Sequence, residues 1–482
     1  MKYSNRKHNL SSLRLHYARL WMDLLLGLAD LLALLLSSYL AVELRWLIGG
    51  RYYDPSTYFG LEPVIPVFLM VYLLSGVYPG IGLNPVEELR RLSVSTSTVF
   101  LFLTALTFGL QILVEYSRLV FGFFWVLALV LVPFFRWGMR RSALRVHAWG
   151  EPVAVIGNGS QTQKVVKFLD ANQAFGLTPV LLIDGFDQPA ELTVDICRCT
   201  IEDLIADPSR LGGAHISTLV MVPTEVPIHY QKMLVNETRF GLHRLVLISD
   251  LGWVGGSAVT LYDLQGVLGL EVQRNLLNPF QRFLKRGLDL AFVIVGGLLI
   301  LPVMALIAVW VAFESPGDAF YGHTRIGQDG KRIKIWKFRS MVYNADQILV
   351  DYLDNNPENR AEWEVSYKLK NDLRLTRSGK FLRKTSLDEL PQLWNVLKGE
   401  MSLVGPRPIV DDEARHYEEI FQLYTQVLPG MTGLWQVSGR SDTSYDTRIR
   451  LDEYYIRHWS IWLDIYILIL TVWVVLKRSG AY

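Results

Sequence analysis

Two adjacent acids carry the strongest chemical signal in this chain. They are Asp388 and Glu389, within the run Arg383-Lys-Thr-Ser-Leu-Asp-Glu-Leu-Pro-Gln-Leu-Trp-Asn-Val-Leu397. Ser386 and Glu389 have capping-box spacing, and Leu390, Leu393, Trp394 and Leu397 recur at helical intervals. Pro391 is comfortable only in a first turn, so the spacing predicts a helix that starts between Ser386 and Asp388. Both acids then sit at a helix N-terminus, where free N–H groups and the dipole favour anions. That setting predicts an ionised Asp388 able to attack phosphorus as a nucleophile. A carboxylate approaching a diphosphate needs screening by a divalent cation. Mg²⁺ suits oxygen ligands and is the natural choice.

An Asp-Glu pair at a helix start is usually only a cap, so its neighbours decide. Tyr321 to Ala345 holds six Lys or Arg (325, 331, 332, 334, 337, 339) against Asp329 alone. Lys368 to Lys384 holds seven (368, 370, 374, 377, 380, 383, 384) against Asp372 alone. The whole chain is nearly neutral, with a formal charge of +2, which argues against a nucleic-acid binder. Local clusters of this kind fit a polyphosphate substrate, anionic lipid headgroups, or both.

The elements around these residues fall into three regions. The chain has 482 residues and is 51% hydrophobic, with the apolar residues clumped. Four stretches are expected to cross a membrane: Leu20–Val42, Leu61–Tyr78, Val94–Val114 and Leu119–Trp137. Lys and Arg concentrate before the first stretch, between the second and third, and after the fourth (Arg136, Arg140, Arg141, Arg145). The positive-inside bias therefore puts both ends of this bundle in the cytoplasm. No signal-peptide cleavage pattern follows the basic residues 1–19, so the N-terminus is expected to be retained. Asp23 is expected near the interface, and Asp30 neutral or hydrogen-bonded inside the bundle.

From about residue 149 to 277, short β-rich runs at 153–157, 180–183, 218–222 and 244–248 alternate with helical ones, predicting a parallel α/β, Rossmann-like module. Its first turn, Gly157-Asn-Gly-Ser-Gln-Thr162, has two of the three glycines of a dinucleotide fingerprint, and Asp184 stands where a ribose-binding acid would. The incomplete fingerprint favours a structural or dimer-forming module over a nucleotide site, and this is where a homodimer would form. Cys197 and Cys199 match neither a redox motif nor a zinc set and read as plain thiols.

Residues 278–482 form the third region. An uncharged run from Leu290 to Phe313 contains Gly296, Gly297 and Pro302 and has basic residues on both flanks. Entry and exit on one side predict a re-entrant helix over about 283–313, broken at Pro302. Asp-Gly at 329–330 between alternating runs predicts a β-hairpin. The tail from Ile465 to Leu476 is too short to cross and reads either as an interfacial helix or as a core helix.

Four motifs now stand in order: Lys337-Phe-Arg-Ser-Met341, Arg383 to Gln392, Met401-Ser-Leu-Val-Gly-Pro-Arg-Pro408, and Pro429-Gly-Met-Thr-Gly-Leu-Trp-Gln-Val-Ser-Gly-Arg440. Together they resemble the bacterial sugar transferases, the monotopic polyprenyl-phosphate phosphoglycosyl transferases, over roughly Phe280 to Tyr482. The bundle and α/β module resemble the large members of that family. The resemblance implies an inner-membrane enzyme, multi-pass, with its catalytic domain on the cytoplasmic face. It would transfer a hexose 1-phosphate, galactose before glucose, from a UDP-sugar to undecaprenyl phosphate, releasing UMP. Such a step opens O-antigen, capsule or exopolysaccharide synthesis.

The resemblance further implies that Asp388 forms a covalent phospho-sugar with Glu389 assisting, and that Asp388 and Glu389 together hold Mg²⁺. Lys337, Arg339 and Arg383 would screen phosphate, Arg407 would contact the nucleotide diphosphate, and Pro302 would break the membrane helix. The sequence departs from the family at Leu301, usually a small residue, at Asn371-Asp-Leu-Arg374, and at Asp318. A membrane regulator that senses a nucleotide is the reading from a different class.

Overall fold

The computed structural model describes residues 18–49, 64–109, 117–146, 148–185, 196–213, 216–236, 240, 242–248, 259–263, 268–272, 275–355, 374–439 and 444–477. The basic residues before Ala18, the expected span ends at Leu61 and Val114, and Lys368 to Leu373 lie outside them. Contacts divide the chain into two compact units, Met1–Gly252 and Trp253–Tyr482.

Four helices begin the first unit: α1 (Ala18–Gly49), α2 (Ile65–Leu74), α3 (Pro85–Gly109) and α4 (Arg118–Arg145). Leu34, Phe68, Tyr72, Leu92, Phe100 and Val132 bring all four into one apolar core. Among the described residues of this bundle, α1 and α4 are long and apolar enough to cross a membrane, while the second and third expected spans extend to Leu61 and Val114, outside the described residues. α2 has ten residues, about 15 Å at 1.5 Å each, half a bilayer core. It stops because Gly76, at φ +69°, turns the chain while its N–H donates back to the Leu73 carbonyl. α3 carries Glu87 and Glu88 in its first turn.

Asp30 is hydrogen-bonded inside the bundle, one of the two states expected of it. Arg136, counted above among the cytoplasmic cations, is 1% exposed and forks onto Asp30 at 2.7 and 2.6 Å. Arg136 also donates to Glu88 at 3.2 Å, Arg140 binds the same Glu88 at 2.9 and 3.0 Å, and the Tyr78 hydroxyl donates to Asp30. A buried ion pair repays its desolvation only when its remaining donors and acceptors are met, and here they are.

The α/β module follows within the same unit. Strands β1 (Glu151–Ile156), β2 (Leu177–Asp184), β3 (Cys197–Thr200), β4 (Thr218–Met221) and β5 (Arg244–Leu247) form one parallel sheet, ordered β3-β2-β1-β4-β5. β1 is buried throughout, as a parallel strand covered on both faces must be, and α5 (Ser160–Ala171) packs beside it. β3 was not legible as a strand, because Cys-Arg-Cys-Thr offers too short an apolar pattern. Cys197 and Cys199 are both free thiols. Arg19 at the start of α1 reaches Glu151 of β1 at 2.8 Å, and Ser217 and Thr218 also donate to Glu151.

The second unit holds the hairpin β6 (Val259–Asp263) and β7 (Leu268–Val272), which the sequence reading had set in the α/β module. Next comes α6 (Pro279–Glu314), 36 residues long and the third helix apolar enough to cross. The assigned helix runs through Pro302, which lies inside it. A proline costs one backbone bond, and a long apolar helix can absorb that as a bend. Residues 294–306 include no buried position, whereas Lys285, Asp289 and Val293 before them and Ile307 and Val311 after them are buried. Beyond α6 lie the antiparallel hairpin β8 (Phe320–Ile326) and β9 (Arg332–Phe338), turning at Asp329 and Gly330 with positive φ as the Asp-Gly signal indicated. Then come α7 (Arg377–Thr385), α8 (Leu393–Lys398), the parallel pair β10 (Ser402–Val404) and β11 (Gly430–Thr432), α9 (Tyr445–His458) and α10 (Ile461–Lys477). α10 packs its first turns into the unit, with Leu463, Asp464 and Ile467 buried, as the core reading of the tail expects, while Ile469, Val472, Trp473 and Leu476 are exposed.

Removing one member of the Asp30–Arg136 pair leaves a buried charge without its partner. Arg136→Met should cost about 3–5 kcal/mol. Asp30→Asn combined with Arg136→Met should recover most of that loss, as read by thermal unfolding in detergent.

Candidate active site

The acids stand on a tighter turn than the sequence suggested. Leu387–Gln392 is a 3-10 turn, and Ser386, at φ +57°, ends α7 in the left-handed conformation with no side-chain cap. The capping box does not form because Glu389 is engaged elsewhere: Lys337 of β9 donates to its Oε1 at 2.7 Å. The short turn gives little dipole, so burial governs Asp388, which is 9% exposed. Burial pushes its carboxyl up to about 6, with Lys337 pulling down, Glu389 pushing up and Arg383 pulling down. The expectation that a helix terminus keeps Asp388 ionised is thereby corrected: at neutral pH the charge persists because cations oppose burial.

The remaining predicted residues separate into two groups. Lys337, Glu389 and Arg407 line one cleft, together with His323, Arg325 and Gln436. Arg383 acts beside it, its Nε donating to Ser340 Oγ at 3.0 Å while its charge is felt at Asp388. Arg339 is a brace: its guanidinium donates to the Ser315 and Pro316 carbonyls at 2.5 and 2.9 Å, closing the end of α6. Glu314 caps the start of α7 through the Arg377 and Ser378 amides at 2.6 and 2.8 Å. Pro302 lies in the bare middle of α6, where it is exposed.

Close backbone packing sets the position of Arg407. β10 runs into Gly405, whose N–H donates to Thr432 at 2.9 Å, while Gly430 donates to Pro406 at 2.8 Å. A Cβ on Gly430 would fall 2.0 Å from the Gly405 nitrogen, so glycine is required for the two motifs to meet. The Tyr424 hydroxyl holds the Arg407 carbonyl at 3.0 Å, and the Arg407 guanidinium lies 5.7 Å from the Trp435 ring centre. Below it Asp452 is buried, its Oδ2 accepting from Tyr417 at 2.9 Å. Burial pushes the Asp452 carboxyl up to about 8, against the pull of Tyr417 and Arg407.

Sequence reasoning missed His323 and Gln436. His323 precedes the basic cluster by two residues, and Gln436 lies inside a quoted motif without an assigned role. His323 Nδ1 and Gln436 Oε1 are buried atoms without a hydrogen-bond partner, in residues that line the cleft. Burial, then Arg325 and Lys337, hold the His323 imidazole below its ordinary value, so it is neutral.

Among the described residues no three acids, histidines or cysteines gather as a metal cluster. Asp388 and Glu389 supply two adjacent carboxylates, which fits Mg²⁺, a cation that takes one or two carboxylates and completes its shell from water and phosphate.

The family described as Bacterial sugar transferase matches residues 280–478, and one described as CoA-binding domain matches residues 74–210. The undecaprenyl-phosphate galactose phosphotransferase of Salmonella typhimurium is 39% identical over 76% of this chain and 77% of its own. The UDP-galactose-lipid carrier transferase of Erwinia amylovora is 39% identical over 76% and 77%. The UDP-glucose:undecaprenyl-phosphate glucose-1-phosphate transferase of Escherichia coli is 37% identical over 52% and 53%. The chain belongs to the bacterial sugar transferase family. It is a phosphoglycosyl transferase, an enzyme that transfers a sugar phosphate to a lipid carrier, and it associates with membrane.

Because Asp452 is held protonated in the fold, only the unfolded chain releases its proton between 3.8 and about 8. Wild-type stability should therefore fall as pH rises through that window, and Asp452→Asn should flatten the fall. Melting temperatures at pH 5 and 8 read the difference, at about 2–4 °C per kcal/mol.

Proposed function

We propose that the enzyme transfers galactose 1-phosphate from UDP-galactose to undecaprenyl phosphate, releasing UMP, at the cytoplasmic face of a bacterial inner membrane. The observation that carries the chemistry is the convergence of Lys337, Glu389 and Arg407 on one cleft beside the buried Asp388. The galactose assignment is supported by the two relatives named for galactose. Each covers 76% of this chain, against 52% for the relative named for glucose.

In the first half-reaction a carboxylate oxygen of Asp388 attacks the sugar-linked phosphorus. The bond from that phosphorus to the bridging oxygen breaks, and UMP departs with the electron pair. In the second half-reaction a phosphate oxygen of undecaprenyl phosphate attacks the same phosphorus and Asp388 leaves as a carboxylate. Lys337 and Arg407 bind and orient the phosphates, stabilising charge where it develops. Glu389 holds Lys337 in place. Mg²⁺, when bound at Asp388 and Glu389, would neutralise diphosphate charge. The unpaired atoms of His323 and Gln436 face hydroxyl or amide groups of the substrate, because a buried polar atom left unmet costs free energy until a ligand meets it.

A hairpin placement of α6 is supported by its anchors. A straight helix of 36 residues would run about 54 Å, yet both of its ends pack on the same unit and only its middle is bare. Entry and exit on one side keep the basic cleft with the nucleotide sugars.

Asp388→Asn should abolish UMP release with every UDP-sugar while the protein still inserts. Turnover at the wild-type rate would remove Asp388 as nucleophile. Gln436→Ala should lower kcat/KM for UDP-galactose about tenfold, the loss of one hydrogen bond. Comparison of UDP-galactose with UDP-glucose, each in the presence of undecaprenyl phosphate and Mg²⁺, tests the sugar.

A further inference from the structure

The glycine turn of the α/β module is occupied by the chain's own carboxylate. In an open parallel sheet, ligands enter the crevice at the carboxyl ends of the strands, where the order reverses. Here that point lies between β1 and β4, the two strands that run into Gly157 and toward Glu225. Coenzyme A or a dinucleotide would place a phosphate against the free amides at the start of α5, a helix of twelve residues.

Those amides are taken. Glu225 Oε2 accepts from Gly159 N at 2.8 Å, Thr162 N at 3.2 Å and Thr162 Oγ1 at 2.5 Å, and Oε1 accepts from Gln161 N at 2.9 Å. A Cβ on Gly159 would lie 2.2 Å from Glu225 Oε1, so the space a phosphate oxygen needs is already filled. Glu225 does not arrive there on a loose arm. It ends the short turn Pro223–Glu225 directly after β4, and Gln231 braces that turn by donating to the Pro223 and Val226 carbonyls at 2.8 and 2.7 Å. Burial works to raise its carboxyl, but the bonds from Thr162, Gly159 and Gln161 outweigh it and hold it below the ordinary range. Glu225 is therefore an anion at neutral pH. It also lies beyond residue 210, outside the segment matched by the CoA-binding family.

We infer that Glu225 is the resident anion of this turn, so that the module binds neither coenzyme A nor a dinucleotide there and its sheet crevice is stitched shut from within. The donors do not fit the group that the family's description implies, because four of their bonds end on Glu225. The module then serves as a rigid body and not as a nucleotide sensor.

The test uses the full-length protein in detergent, with hydrogen exchange read over residues 157–169. Ligand-free wild type should already show slow exchange at the Gly159, Gln161 and Thr162 amides, and 1 mM coenzyme A or ADP should add nothing. Fast exchange in the ligand-free protein, or new protection on adding coenzyme A, would overturn the assignment. Glu225→Ala should free the turn, raise exchange at least tenfold, and gain protection from millimolar inorganic phosphate or ADP. A folded Glu225→Ala protein that gains none would equally sink it. Should that variant fail to fold, Glu225→Gln keeps the side chain's shape but loses its charge. Its amides should exchange faster than wild type, and unchanged exchange would count against the proposal.

Discussion

A buried lysine on α6, the long apolar helix of the catalytic unit, ties that helix to the rest of the unit. Lys285 is 7% exposed and its Nζ donates to Asp464 at 2.6 Å, the Val404 carbonyl at 2.9 Å and the Tyr455 hydroxyl at 3.2 Å. Tyr455 and Trp459 donate to Asp464 in turn at 2.8 and 3.0 Å. One turn further along, Asp289 accepts from Ser402 Oγ at 2.7 Å and Leu403 N at 3.2 Å. Two charged residues of α6 thus grip β10, and β10 leads within three residues to Arg407. Burying such groups is costly unless each finds partners, and meeting that condition ties α6 to the loop that carries Arg407.

The cleft shows the same economy. Lys337 serves Glu389 by contact and Asp388 by field, so one cation keeps two adjacent acids compatible. Arg383 bonds Ser340 and its charge is felt at Asp388, while Arg339, the residue before Ser340, closes α6. Gly379 lets α7 approach that same segment, since a Cβ there would fall 1.9 Å from the Ser340 carbonyl oxygen. Charge placement here is set by backbone proximity.

Local signals were legible and long-range competition was not. The Asp-Gly hairpin, the β-rich runs of the parallel sheet and the motif order all follow from residues adjacent in sequence. The capping box failed because Lys337, from a strand far back in the chain, offers Glu389 a charged partner in place of a backbone amide. Asp30 was flagged, but its partner Arg136 had been counted as a loop cation, since nothing in sequence says which arginine of four turns inward. β10 and β11 are three residues each, too short for a pattern, so their pairing was invisible although both motifs were read. The α/β turn was recognised as incomplete by its glycines, while Glu225, from the turn after β4, could only be placed by the fold.

A helix tethered at both ends to one body is freed from a constraint that governs ordinary spans. A crossing helix must match the hydrocarbon thickness or tilt, thin the bilayer and sort accordingly. In the hairpin placement, the bare stretch 294–306 dips in and returns, and its depth is set by the anchors at Asp289 and Ile307, not by the far leaflet. An enzyme so placed would be indifferent to acyl-chain length on the side it does not reach, and its catalytic unit would keep its height above the headgroups as the lipid composition of the cell changes.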